Sequence, residues 1–178
     1  ILGEESTADE TFSTAEQTAV TDFVNAGRNL FLSGTEIGWD LDSQGTVADR
    51  TFYNSRLRAD YVDDDAGTYN VLAAAGSIFA GNSSLTFDNG TAGNYDADFP
   101  DRIIPLGTGA AAAMTYSGGT GDTAAIQYNG ASGGGRLVML AFPFETIVDV
   151  QDRNDVMSDV LDFFGTPVPA ELTGFAVN

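Results

Sequence analysis

The chain has 178 residues, enough for one domain with a substantial core, and 43% of them are hydrophobic, including 12 Phe. Seven arginines and no lysine stand against 26 carboxylates, a formal charge of −19, so like-charge repulsion makes nucleic acid and anionic membrane surfaces poor partners and none is expected. With no histidine and no cysteine, the chain cannot build a Ser-His-Asp or Cys-His nucleophile, nor a zinc site of the usual kind.

The acidic excess falls on Asp, 19 against 7 Glu, and every basic residue is Arg. That pattern reflects pressure on the whole composition. Life in high salt accounts for it, because self-repulsion is screened where the Debye length falls to about 3 Å at 1 M salt; a calcium-rich protein at the surface of a cell is the alternative. No stretch approaches the roughly 18 apolar residues of a membrane span, and no basic, then apolar, leader opens the sequence.

In chain order, Ile1-Leu2-Gly3-Glu4-Glu5-Ser6-Thr7 reads as the end of a buried strand, so an N-terminally truncated domain is expected. Ser13-Thr14-Ala15-Glu16 is a capping box, and Ala19, Val20, Phe23 and Val24 follow at helical spacing until Gly27. Asn29 to Leu32 is a continuous apolar run, the pattern of a strand buried on both faces. Thr46 to Asp49 is a second cap, opening a helix with Phe52, Tyr53 and Leu57 on its apolar side.

Residues 63–135 change texture to Gly, Asn, Ser, Thr and Asp around short apolar runs, a β-rich insertion with a hairpin connection at 118–122; Ala110 to Ala113 reads equally as helix. Arg136 to Phe142 is a second strand buried on both sides, and Asp152 to Phe164 an amphipathic helix ended by Gly165 and Pro167. Residues 166–178 read as a proline-stiffened linker into a following β domain.

In an open parallel sheet, ligands bind beyond the carboxyl ends of the strands. Three clusters qualify: Glu4-Glu5-Ser6, Ser33-Gly34-Thr35-Glu36, and Pro143-Phe144-Glu145-Thr146. Ser33 stands where α/β hydrolases carry a nucleophile, but no base accompanies it, and capping of the next turn by Ser33 and Thr35 is the plainer role. Glu5, Glu36 and Glu145, brought into one crevice, would suit acid/base chemistry of the glycosidase kind; carboxylates at strand ends also serve structure by binding helix N-termini or arginines such as Arg50.

Asp40-Leu41-Asp42-Ser43-Gln44-Gly45 matches the opening of a calcium loop, with Thr51 where an EF-hand needs Glu, so Asp40 and Asp42 are weak metal candidates and calcium the one cofactor left open. The Asp63-Asp64-Asp65 run reads as solvated surface or an irregular calcium loop. Trp39, Tyr61, Tyr95 and Tyr128 are candidates for stacking on sugar rings, with core packing as the alternative.

Gly3-Glu4-Glu5-Ser6, Gly27 to Leu41 and Phe142-Pro143-Phe144-Glu145-Thr146-Ile147 together resemble the class I glutamine amidotransferase-like, or ThuA-like, domain, in the form embedded in large secreted bacterial proteins labelled xanthan lyase or N-acetylmuramoyl-L-alanine amidase. The resemblance spans residues 1–165. It implies an α/β, flavodoxin-like three-layer sandwich with a mostly parallel sheet, carrying 63–135 as an insertion. It also implies an extracellular or cell-surface location and neighbouring domains as partners. The Cys and His of amidotransferase chemistry are missing.

The expected function is therefore a non-catalytic module of a multidomain protein, making carbohydrate, cation or interdomain contacts through Glu4, Glu5, Ser33, Gly34, Thr35, Glu36 and Glu145. A carboxylate-dependent hydrolase of cell-wall or polysaccharide substrates and a subunit of an oligomeric extracellular assembly are the alternatives.

Overall fold

Both capping boxes form in the computed structural model, which describes residues 11–130 and 134–165. Helix α1 (Thr14–Asn25) starts where the Ser13 amide donates to Glu16 Oε2 at 2.8 Å. Its end turns at Gly27, whose φ of 76° is a conformation open to glycine without strain. Strand β1 (Leu30–Ser33) follows. The chain then passes through a π-helical segment, Trp39–Gln44, into α2 (Val47–Phe52), capped by Thr46 and Asp49. A second π-helical segment, Tyr53–Leu57, ends on Arg58 at φ 61°. The buried Gln17 amide donates to Asp49 Oδ1 at 2.6 Å and ties α1 to α2.

Six strands occupy the middle of the chain: β2 (Ala59–Asp63), β3 (Asn70–Ala73), β4 (Leu85–Thr86), β5 (Arg102–Pro105), β6 (Ala110–Tyr116) and β7 (Thr123–Tyr128). Strand β8 (Leu137–Leu140) and α3 (Val150–Phe164) complete the described residues. Helix α3 is capped by Asp149 and closed by Gly165 at φ 71°. Ala110 to Ala113 is strand.

All eight strands form one curled, mixed sheet in the order β1-β8-β7-β6-β3-β4, with β5 leaving β7 to pair with β2. This corrects the expectation of a mostly parallel, flavodoxin-like sandwich. Only β1 and β8 run parallel; every other pair of named strands is antiparallel. The strands within 63–135 continue the same sheet and carry much of its area.

Each face of the sheet has its own core. Val138 and Leu140 of β8 point to a cluster with Phe79, Phe87, Phe142, Val156 and Val160, while Met139 joins Leu32, Ile37, Leu41, Tyr53 and Ile126 on the other side. Alternate residues of β8 are thus buried on opposite faces, the physical basis of its unbroken apolar run. Arg102 fastens the fork in the sheet by pairing with Asp63 at 3.0 Å and Asp122 at 2.6 Å. Among the described residues no helix is long and apolar enough to cross a membrane.

Candidate functional site: a carboxylate cluster at three strand ends

Beyond the carboxyl end of β1 the chain turns sharply into helix, and the residue at the turn is Glu36, with φ 58°. A left-handed backbone is uncommon for a side-chain-bearing residue and collects at functional turns. Strand-to-helix turns of this kind present the nucleophile in α/β hydrolases. Here the side chain is a carboxylate only 3% exposed.

Strands β2 and β5 bring two further acids to this turn. Because they are antiparallel, with Asp63 opposite Arg102, the residue after β2 and the residue before β5 emerge side by side. These are Asp64 and Asp101. One carboxylate oxygen from each of Glu36, Asp64 and Asp101 lies within 4.8 Å of the others.

Asp101 is the anchor of the group. It is fully buried, and its Oδ2 accepts from the Gly38 amide at 2.6 Å. Burial outweighs the amide bonds from Gly38 and Trp39 and pushes its carboxyl up to about 8, with Asp64 and Asp40 adding like-charge repulsion. Its Oδ1 has no hydrogen-bond partner among the described residues, and neither does the fully buried Tyr53 hydroxyl. Both Tyr53 and Asp101 press on Gly38: a Cβ there would lie 2.7 Å from the Tyr53 oxygen and 3.0 Å from Asp101 Oδ2. Asp64 is partly exposed, and partial desolvation raises its carboxyl as well. Burial and the surrounding carboxylates likewise raise the Tyr61 phenol.

The other residues singled out in the sequence are dispersed. Ser33 Oγ accepts the Phe144 amide at 3.3 Å, and Gly34 and Thr35 are buried in the turn before Glu36. Glu145 is exposed and accepts the Tyr95 hydroxyl at 2.6 Å. Asp40 and Asp42 sit on the π-helical segment rather than in a ligand loop. The buried Asp40 accepts the Thr11 hydroxyl, and Asp42 Oδ2 accepts the Tyr61 amide at 2.9 Å with Arg50 4.0 Å from Oδ1. Glu4 and Glu5 lie outside the described residues. Sequence reasoning named Glu36 but missed Asp64 and Asp101 as its companions.

The three carboxylates suit a hard cation. Ligand oxygens around one calcium ion stand about 2.3–2.6 Å from it, hence up to about 5 Å from each other, and an all-oxygen set favours calcium or magnesium over softer metals. The unpartnered Asp101 oxygen is what such an ion would satisfy.

No protein-family model matches the chain, and no curated protein does. Among solved structures it is similar to the β-galactosidase of Rahnella sp. R3, with a TM-score of 0.58 at 16% identity over 86% of this chain and 21% of that one. It is also similar to the β-galactosidase of Bacillus circulans sp. alkalophilus, TM-score 0.56 at 12% identity over 85% and 21%. The β-galactosidase of the Antarctic haloarchaeon Halorubrum lacusprofundi aligns with a TM-score of 0.51 at 11% identity, over 85% and 20%. The likeness is one of fold, and the chain spans about a fifth of the length of these enzymes.

Proposed function

We propose that this chain is a non-catalytic module of a larger secreted or cell-surface protein of carbohydrate metabolism, with Glu36, Asp64 and Asp101 as a seat for calcium rather than as reacting groups. The observation that carries the reading is closure: Glu36 is 3% and Asp101 0% exposed. A general acid has to come within hydrogen-bond reach of the oxygen it protonates, and Glu36 and Asp101 are too enclosed to meet a sugar ring, whereas a bare cation needs only the opening beside the partly exposed Asp64. Glu145 is exposed and engaged by the Tyr95 hydroxyl, and it is not a member of the carboxylate cluster.

A carboxylate-dependent hydrolase is the competing reading, favoured by the raised Asp101 carboxyl, since a proton held near neutral pH is what a general acid requires. The two readings differ in access. Carbodiimide labelling of the folded chain, read residue by residue by mass spectrometry, is expected to modify Glu145 and Asp63 and to leave Glu36 and Asp101 untouched until the protein unfolds. Labelling of Glu36 or Asp101 in the folded chain at the rate of Glu145 would overturn the module reading.

A further inference from the structure

The seven arginines are distributed unevenly. Arg50 pairs with Asp42, and Arg102 with Asp63 and Asp122. Arg56, Arg58 and Arg136 pair with no carboxylate among the described residues, yet all three line one cavity of ≈ 180 Å³ together with Val24, Tyr128 and Leu137. Leu137 is opposite Leu30 at the amino ends of β8 and β1, so the cavity lies at the other end of these strands from the carboxylate cluster.

Arg28 and Arg153 also have no carboxylate partner among the described residues, so what sets these three apart in a chain of charge −19 is that they are gathered around one cavity. Neutral groups hold these three instead. Arg58 lies 4.5 Å from the Tyr128 ring centroid with Nη2 3.4 Å from its hydroxyl. Arg136 lies 5.3 Å from the Phe163 ring centroid and donates through Nε to Asn129 Oδ1 at 3.1 Å. Arg56 donates to Asn25 Oδ1 at 3.3 Å. A guanidinium has five N–H donors, so each keeps donors for a further acceptor. Ring contacts orient the cations without cancelling their charge.

We propose that this cavity binds an acidic sugar residue. Its carboxylate or sulfate is taken by Arg56, Arg58 and Arg136 through charge-assisted hydrogen bonds, and its ring rests on the half-buried Val24 and Tyr128. Drug-sized ligands occupy pockets of about 300–1,000 Å³, so the smaller volume fits a single ring with its anionic substituent.

The test is calorimetric titration of the chain with a short oligogalacturonate, the matched neutral galacto-oligosaccharide, sodium acetate and sodium sulfate. Saturable binding of the uronate without binding of the neutral sugar is expected. Arg56→Gln is expected to weaken it at least about tenfold, the loss of one charged hydrogen bond, while Arg50→Gln leaves it unchanged. Arg58→Gln gives the same loss and serves in its place should Arg56→Gln alter melting. Failure to bind the uronate, equal affinity for the neutral sugar, or affinity untouched by both pocket variants overturns the proposal. Acetate or sulfate binding as tightly as the uronate overturns the sugar-ring contact and with it the proposal.

Discussion

The Gly38 amide donates to Asp101 Oδ2 at 2.6 Å, which ties the turn after β1 to the residue that leads into β5. The carboxylate cluster depends on that tie, because it holds Asp101 beside Glu36 while β2 delivers Asp64.

Gly38→Ala tests how closely the tie is packed. The backbone of Gly38 is helical, φ −74°, so alanine meets no conformational penalty there, but its methyl would fall 2.7 Å from the Tyr53 oxygen. Overpacking of this kind costs about 1–3 kcal/mol. Urea unfolding is expected to show that loss, and an unchanged midpoint would contradict the packing described.

Asp101 makes stability depend on pH. Its folded-state carboxyl, raised to about 8 from an ordinary value of 3.8, binds a proton the unfolded chain has released across that interval. Its contribution is therefore fully present below about pH 4 and is lost as pH rises through about 8, on the order of a few kcal/mol in total. Asp101→Asn keeps an acceptor for Gly38 and has no charge to lose. In metal-free buffer its stability relative to the parent chain is expected to climb between pH 4 and 8 and then level off. Parallel curves would show that Asp101 titrates normally.

Calcium acts in the opposite direction, since the ion requires Asp101 ionised. At pH 8, calcium is expected to raise the melting temperature saturably, and terbium bound in its place is expected to luminesce on excitation of Tyr61, whose phenol lies in the field of Asp101 and Asp64. Both effects should fade at pH 5.5 and vanish in Asp64→Asn, a substitution at the one partly exposed member of the cluster. Stabilisation that survives Asp64→Asn would place the ion elsewhere on this acidic surface.

Local chemistry was readable from the sequence where it is local in space. Ser13 with Glu16, Thr46 with Asp49 and Gly165 bound their helices as their spacing indicates. The apolar runs of β1 and β8 are strands, and those two are parallel. The error lay in extending that direction to the whole sheet: an unbroken apolar run signals burial on both faces and says nothing of strand direction. Strand β7 shows this, with Thr123 to Ile126 all buried in a strand antiparallel to β8.

The site was half legible. Glu36 could be found because it directly follows a recognisable strand. Asp64 could not, because within Asp63-Asp64-Asp65 nothing local separates the inward member from its solvated neighbours. Asp101 joins it only through the β2–β5 register, a long-range pairing that no local pattern encodes. The arginine cavity was illegible for the same reason: Arg56, Arg58 and Arg136 are gathered by the sheet, not by spacing in the chain.

The central claim is that these carboxylates do not react, and turnover measures it directly. The chain, incubated in high salt with a panel of polysaccharides, β-galactosides and peptidoglycan, is expected to release no product above the level of its Glu36→Gln and Glu145→Gln variants. Product formation by the parent chain that either substitution abolishes would contradict the account.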